Sequence, residues 1–273
     1  MAPDRPRLAF FPLLDALTAA TLSPQCAACE AVLDRPLDGP VCPACWARVR
    51  RAASPACDVC GQPLPSWRSI SVALERCAAC RRRPPAFDRG AVACDYQGEL
   101  RAIIHAFKYD GRRSLAQPLG RLLRDAGAGV LAGADAVVPV PLHVWKRIQR
   151  GFNQSADLAE ALGLPVRAVL RRTRPTRTQT GLTPGQRRRN VAGAFALRVW
   201  PWRPPRTALA GRTLVLVDDV MTTGATLDAC ARVLKRAGAR EVRTLTLARA
   251  LLPAVNRRRP TAQSPRIAQE MQR

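Results

Sequence analysis

Residues 215–226, VLVDDVMTTGAT, constrain the chain more than any other segment. An apolar run short enough for one buried strand meets two adjacent acids, and a loop of small residues follows. Small loops at a helix start turn backbone N–H groups and the positive end of the helix toward an anion. Thr222, Thr223, Gly224, Ala225 and Thr226 have the size for such a cradle. Asp218 and Asp219 then fall at the carboxyl end of the strand, where open α/β sheets bind their ligands and where vicinal hydroxyls can be gripped. A phosphate and a sugar fit this arrangement together. The plainer reading is a buried strand turning into a helix capped by Asp.

The segment resembles the phosphoribosyl pyrophosphate (PRPP) motif of type I phosphoribosyltransferases: four apolar residues, two acids, two apolar residues and Thr-Thr-Gly-x-Thr. Residues 214–226 satisfy that pattern throughout.

Eight of the ten cysteines form four CxxC pairs, Cys26 with Cys29, Cys42 with Cys45, Cys57 with Cys60, and Cys77 with Cys80. Each such turn lets two thiolates converge on one ion, and two turns close a four-sulfur tetrahedron with no open position. Two structural zinc ions follow, in ribbons built from successive hairpins. Sequential pairing is favoured, with Cys26, Cys29, Cys42 and Cys45 on one ion and Cys57, Cys60, Cys77 and Cys80 on the other. The identical form of the knuckles leaves an interleaved pairing open. Closed sites have no place for substrate, so their role is folding and docking. Metal-binding thiols imply a reducing compartment, and the cytoplasm is the expected location. Cys94 and Cys230 stand alone and read as small buried hydrophobes.

The 273 residues suffice for one good-sized domain and a small one. Residues 1–22 read as an amphipathic lead-in helix, its apolar stretch broken by Pro12 and Asp15. Residues 23–85 form the double ribbon, residues 90–252 an α/β domain, and residues 253–273 a disordered basic tail. No stretch approaches the roughly 20 apolar residues of a membrane span. The formal charge of +24 points to polyanionic partners or a phosphate-rich ligand. Yet 41 of the 44 basic residues are Arg, a bias that a GC-rich genome produces equally well.

Past residue 90 the pattern alternates. Strands are expected near 91–96, 136–140, 214–217 and 242–247, and helices over 99–107, 115–131, 155–162 and 226–237. This rhythm predicts a mostly parallel sheet with helices packed on it. His105 lies on an apolar helix face and reads as a packed core residue; neither it nor His143 has the partners of a catalytic site.

Three further segments are similar to one phosphoribosyltransferase subgroup, the ComF family associated with competence for DNA uptake: HAFKYDGR at 105–112, PVPLHVWKRIQRGFNQ at 139–154 and QTGLTPGQRRRNVAGAF at 179–195. The resemblance covers roughly residues 10 to 250. It implies a type I phosphoribosyltransferase fold that binds PRPP with Mg²⁺ and transfers the phosphoribosyl group to an unnamed nitrogen nucleophile. Asp218 and Asp219 would hold the ribose hydroxyls directly or through the metal, and residues 222–226 would cradle the 5′-phosphate. Val140, Pro141, Lys146 and Arg147 would surround the pyrophosphate, near Arg150. Seven arginines and no acid between residues 171 and 189 suit a mobile flap too irregular for a strand, with Arg187 a contributor. Leu182 and Phe195 read as packing anchors, and Lys108 as a ligand candidate or a surface lysine. The rival reading is a non-enzymatic adaptor that senses PRPP or binds single-stranded DNA, alone or with other competence proteins.

Overall fold

The computed structural model describes residues 23–64, 76–174, 183–198 and 209–250, apart from the side chains of Trp145, Lys146, Gln149 and Pro184. The lead-in helix, the tail and Leu182 lie outside the described residues. Two short helices, α1 (Pro43–Ala47) and α2 (Ala78–Arg82), each begin at a cysteine, Cys42 and Cys77. The α/β part runs β1 (Arg89–Asp95), α3 (Gly98–Tyr109), α4 (Ala116–Ala126), α5 (Ala128–Leu131), β2 (Ala136–Pro139), α6 (Val144–Arg150) and α7 (Gln154–Glu160). It continues with β3 (Leu170–Arg172), α8 (Pro184–Val191), β4 (Phe195–Leu197), β5 (Thr213–Met221), α9 (Ala225–Arg236) and β6 (Glu241–Arg249).

Four strands form one parallel sheet in the order β1-β6-β5-β2. Burial on both faces explains the unbroken apolar run Leu214 to Val217, each residue at most 1% exposed. One face packs against α3, α4 and α7, through Ile103, Phe107, Leu119, Leu123 and Leu158; Cys26 and Cys45 belong to that core. The other packs against α9 through Leu227, Cys230, Ala231 and Leu234, and it includes Cys57, Cys60 and Cys80. The two cysteine sets thus enter the cores on opposite faces of the sheet.

Several expectations need correction. β5 does not stop at Val217, because residues 218–221 keep pairing with β6, Asp218 opposite Thr246 and Met221 opposite Arg249. The helix expected over 115–131 is divided at Gly127. A Cβ there would lie 2.6 Å from Leu245 Cδ2 and 2.8 Å from the Leu123 carbonyl, so the helix crosses the sheet at a point only glycine fits. The arginine-rich segment is not irregular throughout. β3 pairs with β4 in antiparallel fashion, and α8 begins with a reciprocal capping box between Thr183 and Gln186. His105 is exposed rather than packed, its ring 4.7 Å from that of Tyr109. The buried stripe of α3 is Leu100, Ile103, Ile104, Ala106 and Phe107, and position 105 points away from it. Cys94 and Cys230 are fully buried, and burial pushes the Cys94 thiol up to about 11.

Candidate functional site

β5 delivers Asp218 and Asp219 to the carboxyl end of the sheet, and residues 222–224 turn the chain directly into α9. Gly224 makes this turn in the left-handed region, φ 73°, which any side chain would strain. A small open pocket lies there, lined by Asp218, Val220, Met221, Thr222, Gly224, Ala225, Thr226 and Leu227. Asp218 and four of the five cradle residues therefore share one small polar pocket at a helix N-terminus. The fifth, Thr223, faces a neighbouring cleft of about 600 Å³. Its hydroxyl is buried with no hydrogen-bond partner among the described residues.

The acids are held from three directions. Lys108, near the end of α3, puts Nζ 2.8 Å from Asp219 Oδ1, with both side chains less than 15% exposed. Burial disfavours the lysine charge, but the carboxylates of Asp219 and Asp218 outweigh it and hold Lys108 above its ordinary pKa. Asp218 Oδ1 accepts from Ser155 Oγ at 3.2 Å and from the Asp219 N–H at 3.0 Å. Burial first, then the Asp219 charge, pushes the Asp218 carboxyl up to about 7 against the opposing pull of Lys108. Two carboxyl groups face one ammonium, and this set of hard oxygen donors fits a divalent cation such as Mg²⁺.

A supporting frame rises from residues 150–155. Asn153 caps α7 by accepting from the Ser155 N–H, and its Nδ2 donates to the Val140 carbonyl at 3.2 Å. Gln154, fully buried, donates to the Lys108 carbonyl at 3.4 Å. Phe152 packs its ring 5.6 Å from Phe107. One short loop thus fixes Ser155 beside Asp218 and the backbone of Lys108. From sequence, Lys108 is a candidate without a partner, Asn153 and Gln154 belong to the family-like segment 139–154 with no role of their own, and Ser155 is not singled out. An Asn ahead of an apolar helix is a capping signal that points to this loop.

The remaining expected residues are more scattered. Val140 and Pro141 are buried, and the Val140 N–H donates to the Val217 carbonyl at 3.0 Å, which sets this loop beside the acids. Arg147 is exposed on α6, and the Lys146 side chain lies outside the described residues. Arg150 is folded onto Tyr109, with Nη2 3.0 Å from the phenol oxygen and the guanidinium 4.7 Å above the ring. Arg187 is buried on α8, whereas its neighbour Arg188 lines the cleft beside Thr223. Phe195 is 6% exposed and packs in the core.

The cysteines gather as Cys26, Cys29, Cys42 and Cys45, and as Cys57, Cys60, Cys77 and Cys80, each set with its sulfurs within 4.8 Å of one another. Four thiolates about 2.3 Å from a zinc ion stand about 3.8 Å apart in a tetrahedron. Cys29 and Cys42 sulfurs are 3.8 Å apart, and those of Cys60 and Cys77 3.7 Å. Backbone N–H groups of Ala28 and Cys42 point at Cys26 Sγ from 3.5 and 3.3 Å, the outer support that thiolate centres use. The donor sets fit two structural zinc ions in the sequential pairing. Among the described residues, no helix is long and apolar enough to cross a membrane.

Comparison with known proteins agrees with both parts. Residues 17–81 match the family model of the double zinc ribbon domain, and residues 149–266 that of the phosphoribosyl transferase domain. The chain is 31% identical over 220 residues to Competence protein F of Haemophilus influenzae, covering 77% of this chain and 90% of that one. It is 34% identical over 224 residues to the DNA utilization protein YhgH of Escherichia coli K12, covering 77% and 91%. With Competence protein ComFC of Bacillus subtilis the identity is 25% over 217 residues, covering 78% and 85%. With these relatives matched over most of their length, and with a cysteine-rich ribbon pair ahead of a parallel-sheet phosphoribosyltransferase domain, the chain belongs to the ComF family.

Proposed function

We propose that the protein binds PRPP with Mg²⁺ and acts on its anomeric carbon. The observation that carries this reading is the junction of β5 and α9, where the buried Asp218 and a left-handed glycine line one pocket at a helix start, with Asp219 next to Asp218 on the strand. Thr222, Gly224, Ala225 and Thr226 would receive the 5′-phosphate on backbone N–H groups, with Thr223 completing the loop. Asp218 and Asp219 would accept from the ribose hydroxyls or bind the metal. Bound Mg²⁺ would supply charge neutralisation at the pyrophosphate. Val140, Pro141, Lys146 and Arg147 would surround that group, with Arg187 supporting α8 nearby. In transfer, the bond from the anomeric carbon to pyrophosphate oxygen breaks and its electron pair leaves with pyrophosphate. A nitrogen lone pair forms the new bond and the nitrogen then loses a proton. The carboxylates would stabilise positive charge on the ribose ring as that bond loosens.

Calorimetric titration of zinc-loaded protein with Mg²⁺-PRPP tests the reading, beside the Asp218→Asn/Asp219→Asn double variant. Saturable binding by wild type and none by the variant is expected. No binding by wild type sinks the proposal.

Arginines favour a second reading. Arg83, Arg188 and Arg249 line the cleft beside Thr223, and Arg83, Arg188, Arg232 and Arg236 line an adjoining one of about 820 Å³. Two relatives carry names that refer to competence and one to DNA utilization. Together these support handling of single-stranded DNA, with the thiol-rich centres suiting the cytoplasm. Oligonucleotide binding that weakens steeply with salt and ignores Asp219→Asn would support this adaptor. No affinity near roughly 100 mM salt would reject it.

A further inference from the structure

The second cysteine set is tied to both ends of the phosphate loop. At the strand end, Arg249 Nη1 donates to the Cys60 carbonyl at 2.7 Å and Nε to Gln62 Oε1 at 2.8 Å. Arg249 is the register partner of Met221, the last residue of β5. Its Nη1 lies 3.7 Å from Met221 Sδ, and the next residue, Ala250, donates its N–H to the Met221 carbonyl at 2.9 Å. The same sulfur would be 3.4 Å from a Cβ on Gly224, so Met221 underlies the turn itself.

At the helix end, the Ala86 N–H donates to Asp228 Oδ1 at 2.7 Å. Ala86 follows Cys80 by six residues, and Asp228 stands in the first turn of α9. Phe87, 3% exposed, would lie 3.9 Å from that same Gly224 Cβ. The Cys57–Cys60 knuckle is in turn pressed onto the sheet, since a Cβ on Gly61 would meet Val92 Cγ2 at 2.6 Å. The chain after the first cysteine set reaches elsewhere. Arg48 pairs with Glu99 on α3 at 2.6 Å, and Arg51 with Asp125 on α4 at 3.4 Å.

We infer that Arg249 and the Ala86–Asp228 contact make the second zinc ribbon a positioning element for the phosphate loop, so that closure of the Cys57, Cys60, Cys77, Cys80 site and anion binding at residues 222–226 favour each other. The ligand half of this inference rests on the proposed function. The physical basis is that Cys60 offers its carbonyl to Arg249 from within the knuckle that its own sulfur closes. When the knuckle opens, the guanidinium loses its Cys60 acceptor and the footing it shares with Gln62, and Met221 loses the group that holds it against the turn. By linkage, anything that fixes the turn also fixes the knuckle.

The test uses the full chain in four forms: wild type, Arg249→Gln, Cys77→Ser in the second set and Cys29→Ser in the first. Zinc content, amide hydrogen exchange and Mg²⁺-PRPP affinity are measured on each. Arg249→Gln should keep two zinc ions, exchange residues 222–228 about tenfold faster and bind Mg²⁺-PRPP about tenfold more weakly. Cys77→Ser should match it in exchange and affinity with one ion fewer, whereas Cys29→Ser should lose an ion without either change. Unchanged exchange at 222–228 in Arg249→Gln, or an equal rise in Cys29→Ser, overturns the inference. Should wild type not bind Mg²⁺-PRPP, the proposed function falls, and the exchange comparison still decides whether ribbon and loop are coupled.

Discussion

Asp218 is buried beside a second carboxylate with a single ammonium nearby, a costly arrangement for a protein that needs only a stable sheet. Its carboxyl, ordinarily near 3.8, holds its proton up to about pH 7 in the folded chain. The folded state therefore binds more protons than the unfolded one between about pH 4 and 7, and stability falls as pH rises through that window. The gap corresponds to about 4 kcal/mol as an upper bound. Asp218→Asn keeps an acceptor for Ser155 and the Asp219 N–H but cannot ionise. Thermal denaturation should show the variant gaining on wild type from pH 5.5 to 8, while Mg²⁺-PRPP binding is lost; a constant difference across that range would mean Asp218 titrates normally. The acids stand out in the sequence because they adjoin a loop of small residues. Lys108 could be named as a candidate but not placed, since its partner lies 111 residues away. Ser155 carried no signal except the capping Asn beside it.

Elements with strong periodicity were legible to within a few residues, and the misreadings have local causes. β5 overran its expected end because backbone pairing with β6 continues under polar side chains as readily as under apolar ones. The helix break at Gly127 and the outward turn of His105 depend on where a helix meets the sheet, which periodicity alone does not fix. Arg243 shows the same limit, as a buried charged residue near the start of parallel strand β6. It is 6% exposed, donates to the carbonyls of Val130 and Ala132 at the end of α5, and is paired with Glu241 at 2.8 Å. These are carbonyls that a helix C-terminus leaves unsatisfied. Arg243→Met keeps the bulk and removes every donor, so it should cost about 3 kcal/mol. Urea unfolding of the two proteins measures this directly, and a loss below about 1 kcal/mol would mean that water replaces the guanidinium at those carbonyls.

At the scale of the whole molecule, the reading as a small ribbon unit followed by a catalytic-type domain was available from cysteine spacing and strand rhythm. The interdependence of the two was not, because it is a matter of long-range packing. Cys26 and Cys45 join the core on the face of the sheet that carries α3 and α4, whereas Cys57, Val59, Cys60 and Cys80 join the core beneath α9. The ribbons thus cover apolar surface on both faces, and Phe87 continues that cover from the second ribbon onto α9. Without metal, closed four-thiolate sites lose most of the free energy that folds them. The sheet should then lose packing that its own helices do not replace. Removing zinc with a chelator under reducing conditions should lower the melting temperature of the sheet as well as that of the ribbons. A loss of about 3 kcal/mol corresponds to roughly 6–12 °C for a domain of this size. Circular dichroism reports the sheet and helices, and zinc release measured on the same heating ramp reports the ribbons. Coincident transitions that move together on chelation mark one cooperative unit. A sheet transition that stays in place after both ions are gone would make the ribbons an appended module, and the cysteine contacts with the two cores would then contribute little to stability.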